Sequence, residues 1–539
     1  MNNTISKTYT GAKIIIETLK NLGVDRIFGY PGGVVLKIYD ELFSEKSIKH
    51  ILVRHEQAAA HAAEGYARVT GKPGVVLVTS GPGATNTVTG IVNAYLDGFP
   101  LIVLTGQVFS DLIGKDAFQE ADICNMTKSC TKKVFQVTSA KDLEKTLVDA
   151  YNTAMSGKKG PVVVDLAKNV LYEEVDFLNL KADCVEVENH IYIKHALKEV
   201  CLAKHPVVVA GGGSVGAYKE LTEFAKALNL PVVSTLMGIG SYPQSDENYF
   251  GMVGIFGDKS ANELLKQSDL VLSVGARFND RITCKFEDGE LARKFIQIDI
   301  NKKEISRVIP AYLRLEGDAK VVMADMLDEF NTGKYVLNAD WQDVQDLKKL
   351  NAKRKPTTLK LHSFQVIQEL QKLINGKDLV VTTEVGQHQL WAAQNLRFDK
   401  PLKFLTSGGS GTMGFGFPAA IGVAVADSSK PVICIAGDGS FQMNMQELAT
   451  CMDYNLPVKI FIMNNGYLGM VRQLQQGQCD GRFSETKISN PDFVKLAESY
   501  GAKAIRVTQL DEVKSALEFA LNTEGAVVVD FVVEPMETL

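Results

Sequence analysis

Two apolar runs, PVICIA (431–436) and VKIFIM (458–463), flank the stretch GDGSFQMNMQELATCMDYNLP, and Asn464-Asn465 follows the second. Buried strands separated by a helical segment of that length cannot form a hairpin; they run parallel in one sheet through a crossover helix. The Gly-Asp-Gly turn closes the first run and the Asn pair the second. Asp438 and Asn465 therefore emerge together at the carboxyl edge of the sheet, where open α/β sheets bind ligands. Both are hard oxygen donors of the kind magnesium takes while keeping positions for phosphate oxygens. Gly439 and Ser440 bring backbone N–H groups to the helix start, which favours an anion. Gly-Asp-Gly alone is only a turn; the two strands and the Asn pair give it this meaning.

The same alternation of apolar run and helical pattern fills most of the chain. Strands read at ILVRH (51–55), GVVLVTS (74–80), LIVLTG (101–106) and PVVVDL (161–166), then at PVVVAGGG (206–213), LVLSVG (270–275) and FIQIDI (295–300). A third set includes DLVVTTEVG (378–386) and AVVVDFVVE (526–534). The expected fold class is α/β: three tandem doubly wound parallel-sheet domains, over 1–180, 190–340 and 362–539. The charged stretch 341–361 reads as a solvated connecting segment with a helical piece. A length of 539 residues is too great for one core, which agrees with several domains.

A net charge of −5 with mixed signs leaves no basic stripe, which argues against nucleic acid. The eight cysteines, among them Cys124, Cys130, Cys284 and Cys451, lack the spacing of a zinc site or disulfide framework and read as free, mostly buried thiols. MNNTISKTYTGAK has no apolar signal region and no run reaches a membrane span, so a cytoplasmic protein without membrane contact is expected.

Glu56 opens the Ala-rich segment EQAAAHAAEGYARVT (56–70) directly after a strand. Alone, it reads as a carboxylate offsetting the helix dipole, worth under about 1 kcal/mol. GGGS (211–214) follows a strand and lets a ligand approach its backbone, but it is not a GxGxxG and is weak by itself.

The motif from Gly437 to Asn465 resembles the diphosphate-and-metal motif of thiamine-diphosphate enzymes. YPGG (30–33), RHEQAAAHAAEGYAR (54–68), VLVTSGPGATN (76–86), TGQV (105–108), DAFQE (116–120), TLMGIGSYP (235–243) and GARF (275–278) resemble one family within them. So do EVGQHQLWAAQ (384–394), GGSGTMGFGFPAAIG (408–422) and NNGYLGMV (464–471). That family is acetohydroxyacid synthase, or acetolactate synthase, in its catalytic subunit. The resemblance covers almost the whole chain and implies the thiamine-diphosphate enzyme fold, with thiamine diphosphate, Mg2+ and a non-redox FAD. It implies decarboxylation of pyruvate and transfer of the two-carbon unit to a second 2-oxo acid, giving 2-acetolactate for branched-chain amino acids. It also implies a homodimer or homotetramer with active sites shared between subunits, and it allows a regulatory small subunit.

By the same resemblance Glu56 lies against the pyrimidine N1′, where a carboxyl must exchange a proton; an apolar setting that raises its pKa suits the task. Asp438 and Asn465 become metal ligands with the backbone carbonyl of Tyr467, and Gln387, His388, Gly439 and Ser440 contact the diphosphate. Gly411 and Met413 hold the aminopyrimidine, the flexible thioether filling the gap between two rings. Gly33, Phe118, Gln119 and Lys168 match positions near the substrate, although Lys168 alone reads equally well as a surface lysine. Gly211, Gly212, Thr235, Leu236, Met237, Gly275, Arg277, Asp299 and Asp318 match flavin contacts. Arg277 offers a fork for phosphate oxygens, and Asp299 ends a strand where it can accept from a ribose hydroxyl.

Departures gather at the expected acceptor pocket of Phe109, Met470 and Leu474. Leu474 stands where the family commonly has the Trp associated with 2-oxobutyrate preference, and Phe109 where it has Pro. Ile255-Phe256-Gly257 replaces Met-His-Gly, and Asn279 the first Asp of Phe-Asp-Asp-Arg. Lys158 replaces a flavin-site Arg and loses the bidentate fork. VVEPMETL stands ahead of the C-terminal arm that commonly caps the active site. Leu474 and the expected lack of that arm motivate an alternative, transfer from pyruvate to a bulkier acceptor such as a keto-sugar. A non-catalytic partner subunit is the alternative of another class; Glu56, Asp438 and Asn465 all speak against it.

Overall fold

The computed structural model describes residues 7–182, 192–283, 293–351 and 354–539. Its frame is three six-stranded parallel sheets. Across the first sheet the strands are Lys49–Leu52, Arg26–Gly29, Gly74–Val78, Leu101–Gln107, Pro161–Ala167 and Lys133–Val137, which is 2-1-3-4-6-5 in chain order. The third repeats that order with Phe404–Leu405, Val380–Thr383, Val432–Gly437, Val458–Asn464, Val527–Val532 and Lys503–Val507. The middle sheet differs: Tyr249–Met252, Val232–Ser234, Pro206–Ala210, Leu270–Val274, Lys294–Asp299 and Leu313–Glu316 run 3-2-1-4-5-6, the order of dinucleotide-binding sheets. Central strands such as GVVLV (74–78) and LIVLTGQ (101–107) are buried at every residue, because helices cover both faces of a parallel sheet.

The outer units share one core, running from Phe28 and Val76 through to Cys434 and Ile460. It is made continuous by two helices, Glu56–Thr70 and Gly416–Ala426, each following the second strand of its unit. A Cβ built on Gly65 would stand 2.2 Å from the carbonyl oxygen of Ala419, and one on Gly422 would stand 1.8 Å from that of Ala62. The segments AAEG (62–65) and AAIG (419–422) thus meet reciprocally, and only hydrogen at both glycines allows it.

Strand and helix positions follow the sequence pattern closely, with two instructive differences. The strand expected through His55 ends at Leu52, so Glu56 does not directly follow it. His55 instead caps the helix, its Nδ1 accepting from Gln57 N at 3.1 Å. The connecting segment is less solvated than its charge suggests: Trp341, Val344 and Leu347 pack on the middle unit, and Trp341 Nε1 donates to Pro206 O at 3.0 Å. Its helical piece is a 3₁₀ stretch, Val344–Leu350. Cys124, Cys130, Cys201, Cys434, Cys451 and Cys479 are free thiols, four of them buried; Cys284 lies outside the described residues. Among the described residues no helix is long and apolar enough to cross a membrane.

Candidate active site

The carboxyl ends of the third sheet build one cleft. Gln387 and His388 open the helix Gln387–Asn395 after one strand, Asp438, Gly439 and Ser440 follow a second, and Asn465 follows a third. These residues line the cleft with Trp391, Met413, Tyr467 and Met470. Gly439 packs closely at its turn: a Cβ there would come within 2.8 Å of Leu468 Cδ2, and the leucine side chain would have to move. Gly411 stands at φ +67 in the loop that carries Met413.

Asp438 is buried, and its hydrogen-bond partners are all neutral: Gly439 N at 3.0 Å on one oxygen, Gly466 N and Asn490 Nδ2, both at 2.7 Å, on the other. Burial pushes its carboxyl above the usual range. A carboxylate held so, beside the amide of Asn465 and the Tyr467 backbone, suits a cation. Among the described residues no three His, Cys, Asp or Glu converge, so the metal reading rests on this oxygen set. Asn465 Oδ1 accepts from Tyr467 N at 2.9 Å, an Asx turn that fixes the loop.

The cleft also contains unmet polar atoms. His388 Nε2 and Gln387 Oε1 are buried without a partner, and burial lowers the His388 pKa to about 3. Such orphans are costly unless a ligand satisfies them. The donor end of Gln387 is already committed, to Gln473 Oε1 at 2.7 Å and Glu537 O at 2.9 Å, so contact with a diphosphate requires its amide to turn.

The first unit collects a second group at its own carboxyl edge. Glu56 Oε2 accepts from Asn86 Nδ2 at 2.9 Å, and Gly83 sits against Glu56 Oε1. Gln119, at φ 60, places its carbonyl under Gly81, which joins the 116–120 loop to that of Asn86. Lys168 Nζ lies 5.3 Å from the Phe109 ring centroid, a cation–π pair. Phe118 is 89% exposed, and open space surrounds Gly33. None of this group lines the cleft of Asp438, where every lining residue belongs to the third unit.

The middle unit brings its predicted residues to a third carboxyl edge. Gly211 and Gly275 stand at the two strand ends flanking the reversal of strand order, so close that a Cβ on Gly211 would meet Gly275 O at 2.2 Å. Lys158 reaches this edge from the first unit. Its pKa is lowered, first by burial and then by Arg277, while Glu304 and Asp299 pull the other way. Among the described residues no carboxylate comes within ion-pair distance of Arg277, leaving it open to an anion. Met237 lies against Gly408 and Arg277 against Gly409, beside Gly212 and Leu236. Two predicted residues also carry local duties: Asp318 caps the helix Ala319–Phe330 through Lys320 N at 2.8 Å, and Thr235 accepts from Gly238 N at 3.2 Å. Asp299 accepts from Asn301 N at 2.8 Å.

Residues that sequence reasoning passed over hold these groups in place. Asn490 orients Asp438, and Asn86 orients Glu56. Asn93 Oδ1 accepts from Ser407 Oγ at 2.5 Å and Thr412 Oγ1 at 2.9 Å, while Asp97 Oδ1 accepts from Gly409 N at 2.6 Å, so the Met413 loop is anchored by the first unit. Glu384 accepts from Gly414 N and Phe417 N. Asn86 and Glu384 stood inside quoted motifs; Asn490 and Asn93 carried no local signal.

Three family descriptions match the chain in order: "Thiamine pyrophosphate enzyme, N-terminal TPP binding domain" over 9–126, the central domain over 193–326, and the C-terminal TPP binding domain over 384–531. The chain is 43% identical to the acetolactate synthase large subunit of Haemophilus influenzae, over 98% of this chain and 96% of that protein. It is 42% identical to the acetolactate synthase isozyme 3 large subunit of Escherichia coli, over 95% and 92%. It is also 42% identical to a probable acetolactate synthase large subunit of Methanocaldococcus jannaschii, over 98% and 93%. With identity at this level over nearly the full length, the chain belongs to the acetolactate synthase large-subunit family of thiamine pyrophosphate enzymes.

Proposed function

We propose that the protein decarboxylates pyruvate with thiamine diphosphate and transfers the two-carbon unit to a second 2-oxo acid, giving 2-acetolactate. The observation that carries this reading is the cleft of Asp438, Asn465, Gln387 and His388, with its cation-seeking carboxyl and its orphaned polar atoms. Asp438, Asn465 and the Tyr467 carbonyl hold Mg2+, and Gln387, His388, Gly439 and Ser440 hold the diphosphate. Gly411 and Met413 hold the aminopyrimidine. When bound, the cofactor supplies the electron sink for decarboxylation. The protein supplies the proton: Asn86 fixes Glu56 Oε2, and Oε1 remains to carry a proton to the pyrimidine N1′. Lys168 provides a cation for the substrate carboxylate beside Phe109, Phe118 and Gln119, with Gly33 leaving space; Met470 and Leu474 bound the acceptor.

FAD belongs at the middle edge, where the 3-2-1-4-5-6 strand order, Arg277 and Lys158 support it. The units divide at 1–180, 190–340 and 362–539, joined by 341–361. Because Glu56 stands outside the Asp438 cleft of its own chain, the active site is completed by a second copy, as a homodimer or a pair of dimers. The large-subunit names of the relatives support a small regulatory partner.

Product analysis tests the reading. Pyruvate alone should yield 2-acetolactate; a product formed only on adding a keto-sugar would favour the alternative, and no turnover would favour a non-catalytic subunit. Glu56→Gln should slow C2 proton exchange of the bound cofactor by at least ~10²-fold. An unchanged exchange rate removes Glu56 from its role.

A further inference from the structure

We propose that Glu447 is a positioning residue for Glu56, fixing from the third unit the turn that delivers this carboxyl in its own chain. The inference rests on the role of Glu56 given above. Between the end of the strand at Leu52 and the helix start at Glu56, three residues belong to neither element, and their backbone groups need partners elsewhere. Val53 N donates to Gly29 O at 3.3 Å, and Glu447, fully buried, takes the N–H that follows. Its Oε1 and Oε2 accept from Arg54 N at 2.9 and 3.2 Å. Thr450 Oγ1 braces the far side, donating to Glu447 Oε2 at 2.7 Å.

The grip extends along the same helical stretch. Tyr454 Oη accepts from Leu52 N at 2.8 Å and donates to His50 O at 3.3 Å, and Arg54 pairs with Asp453 at 2.5 Å. The path of the chain into Glu56 is therefore set by residues 447–454. These lie between Asp438 and Asn465, in the segment that the metal reading assigns to magnesium and diphosphate. A buried carboxyl is a costly way to hold a backbone turn, since burial pushes it up to about 7 against the pull of Thr450 and Arg54. What it gains is geometry: two oxygens in one plane close on the Arg54 N–H while one also takes the Thr450 hydroxyl, a grip that one hydroxyl oxygen cannot make. Glu56 is thereby aimed by the metal-binding segment of its own chain. In an assembly where Glu56 serves a partner's cofactor, each cofactor site also sets the carboxyl of the other.

The test uses full-length holoenzyme at saturating thiamine diphosphate and magnesium, comparing Glu447→Ala, Glu447→Gln and Glu56→Gln. C2 hydrogen–deuterium exchange is measured beside calorimetric cofactor affinity. Glu447→Ala should slow exchange by about 10- to 100-fold, the scale of a small misplacement, with affinity changed far less. Glu447→Gln keeps one oxygen for Arg54 N but turns an NH2 group toward the other contacts, so its exchange should fall clearly below the wild type and above that of Glu447→Ala. Wild-type exchange in both Glu447 variants, with Glu56→Gln inactive, overturns the positioning role, as does a loss confined to affinity. Normal exchange in Glu56→Gln overturns instead the reading of Glu56. Should Glu447→Ala not fold, Glu447→Gln and Thr450→Val carry the measurement, and wild-type exchange in both overturns the proposal.

Discussion

Glu384 is fully buried, and its oxygens accept from Gly414 N at 2.6 Å and Phe417 N at 2.9 Å, which shapes the loop ahead of the helix Gly416–Ala426. Burial raises its carboxyl from 4.5 to about 7. Across that window the folded chain keeps a proton that the unfolded chain has lost, so stability falls as pH rises. Glu384→Gln removes this titration, and the variant's melting temperature should decline less steeply from pH 5 to 7 than that of the wild type. Equal slopes in scanning calorimetry would assign the effect elsewhere, for instance to Glu447, which carries the same sign. Leu474, 41% exposed on the helix Gly469–Gln478, presents no flat aromatic wall to the acceptor pocket proposed above. One methylene in an apolar pocket is worth only about 1–3 kcal/mol. Pyruvate should therefore compete well with 2-oxobutyrate, and Leu474→Trp should shift the product ratio toward 2-oxobutyrate when both are supplied equally. A strong 2-oxobutyrate preference in the wild type, unmoved by Trp, would place discrimination elsewhere.

The helices Glu56–Thr70 and Gly416–Ala426 make the tightest junction between elements. Gly422→Ala would put a methyl 1.8 Å from the Ala62 carbonyl, an atom that cannot swing aside. The helices must then separate, at a cost of about 1–3 kcal/mol; an unchanged denaturant midpoint would show that they yield easily. The bounds of Glu56–Thr70 were legible because the segment is Ala-rich, starts with a carboxylate and stops at Gly71, which sits at φ 73. The parallel strands were legible because burial on both faces leaves unbroken apolar runs. The partner of that helix was not, since small residues announce close approach without saying to what. The same limit hid Asn93, Asn490 and Glu447: each acts on a segment distant in sequence, and no local spacing carries such a pairing. Asp438 and Asn465 were visible because one crossover fixes both.

On the scale of the whole molecule, the first unit leaves Tyr30, Phe109, Leu112 and Phe118 exposed, while the Asp438 cleft has no first-unit wall. Activity should therefore follow the dimer: specific activity should fall on dilution in parallel with the dimer fraction seen by sedimentation, and a fully active monomer would contradict it. The flavin site proposed for the middle unit could be read only through the resemblance, because GGGS is an unspecific loop and the strand order of the middle sheet was not visible in the sequence. The reciprocal contact of AAEG with AAIG has one more consequence. Two units of equal strand order meet through equivalent helices, each offering the other the same small-residue notch, so the chain already contains a joint of the kind two separate polypeptides use. A first unit and a third unit made as separate chains should then reassemble through this seam, and co-expressed fragments that fail to associate would show that the link through the middle unit is needed.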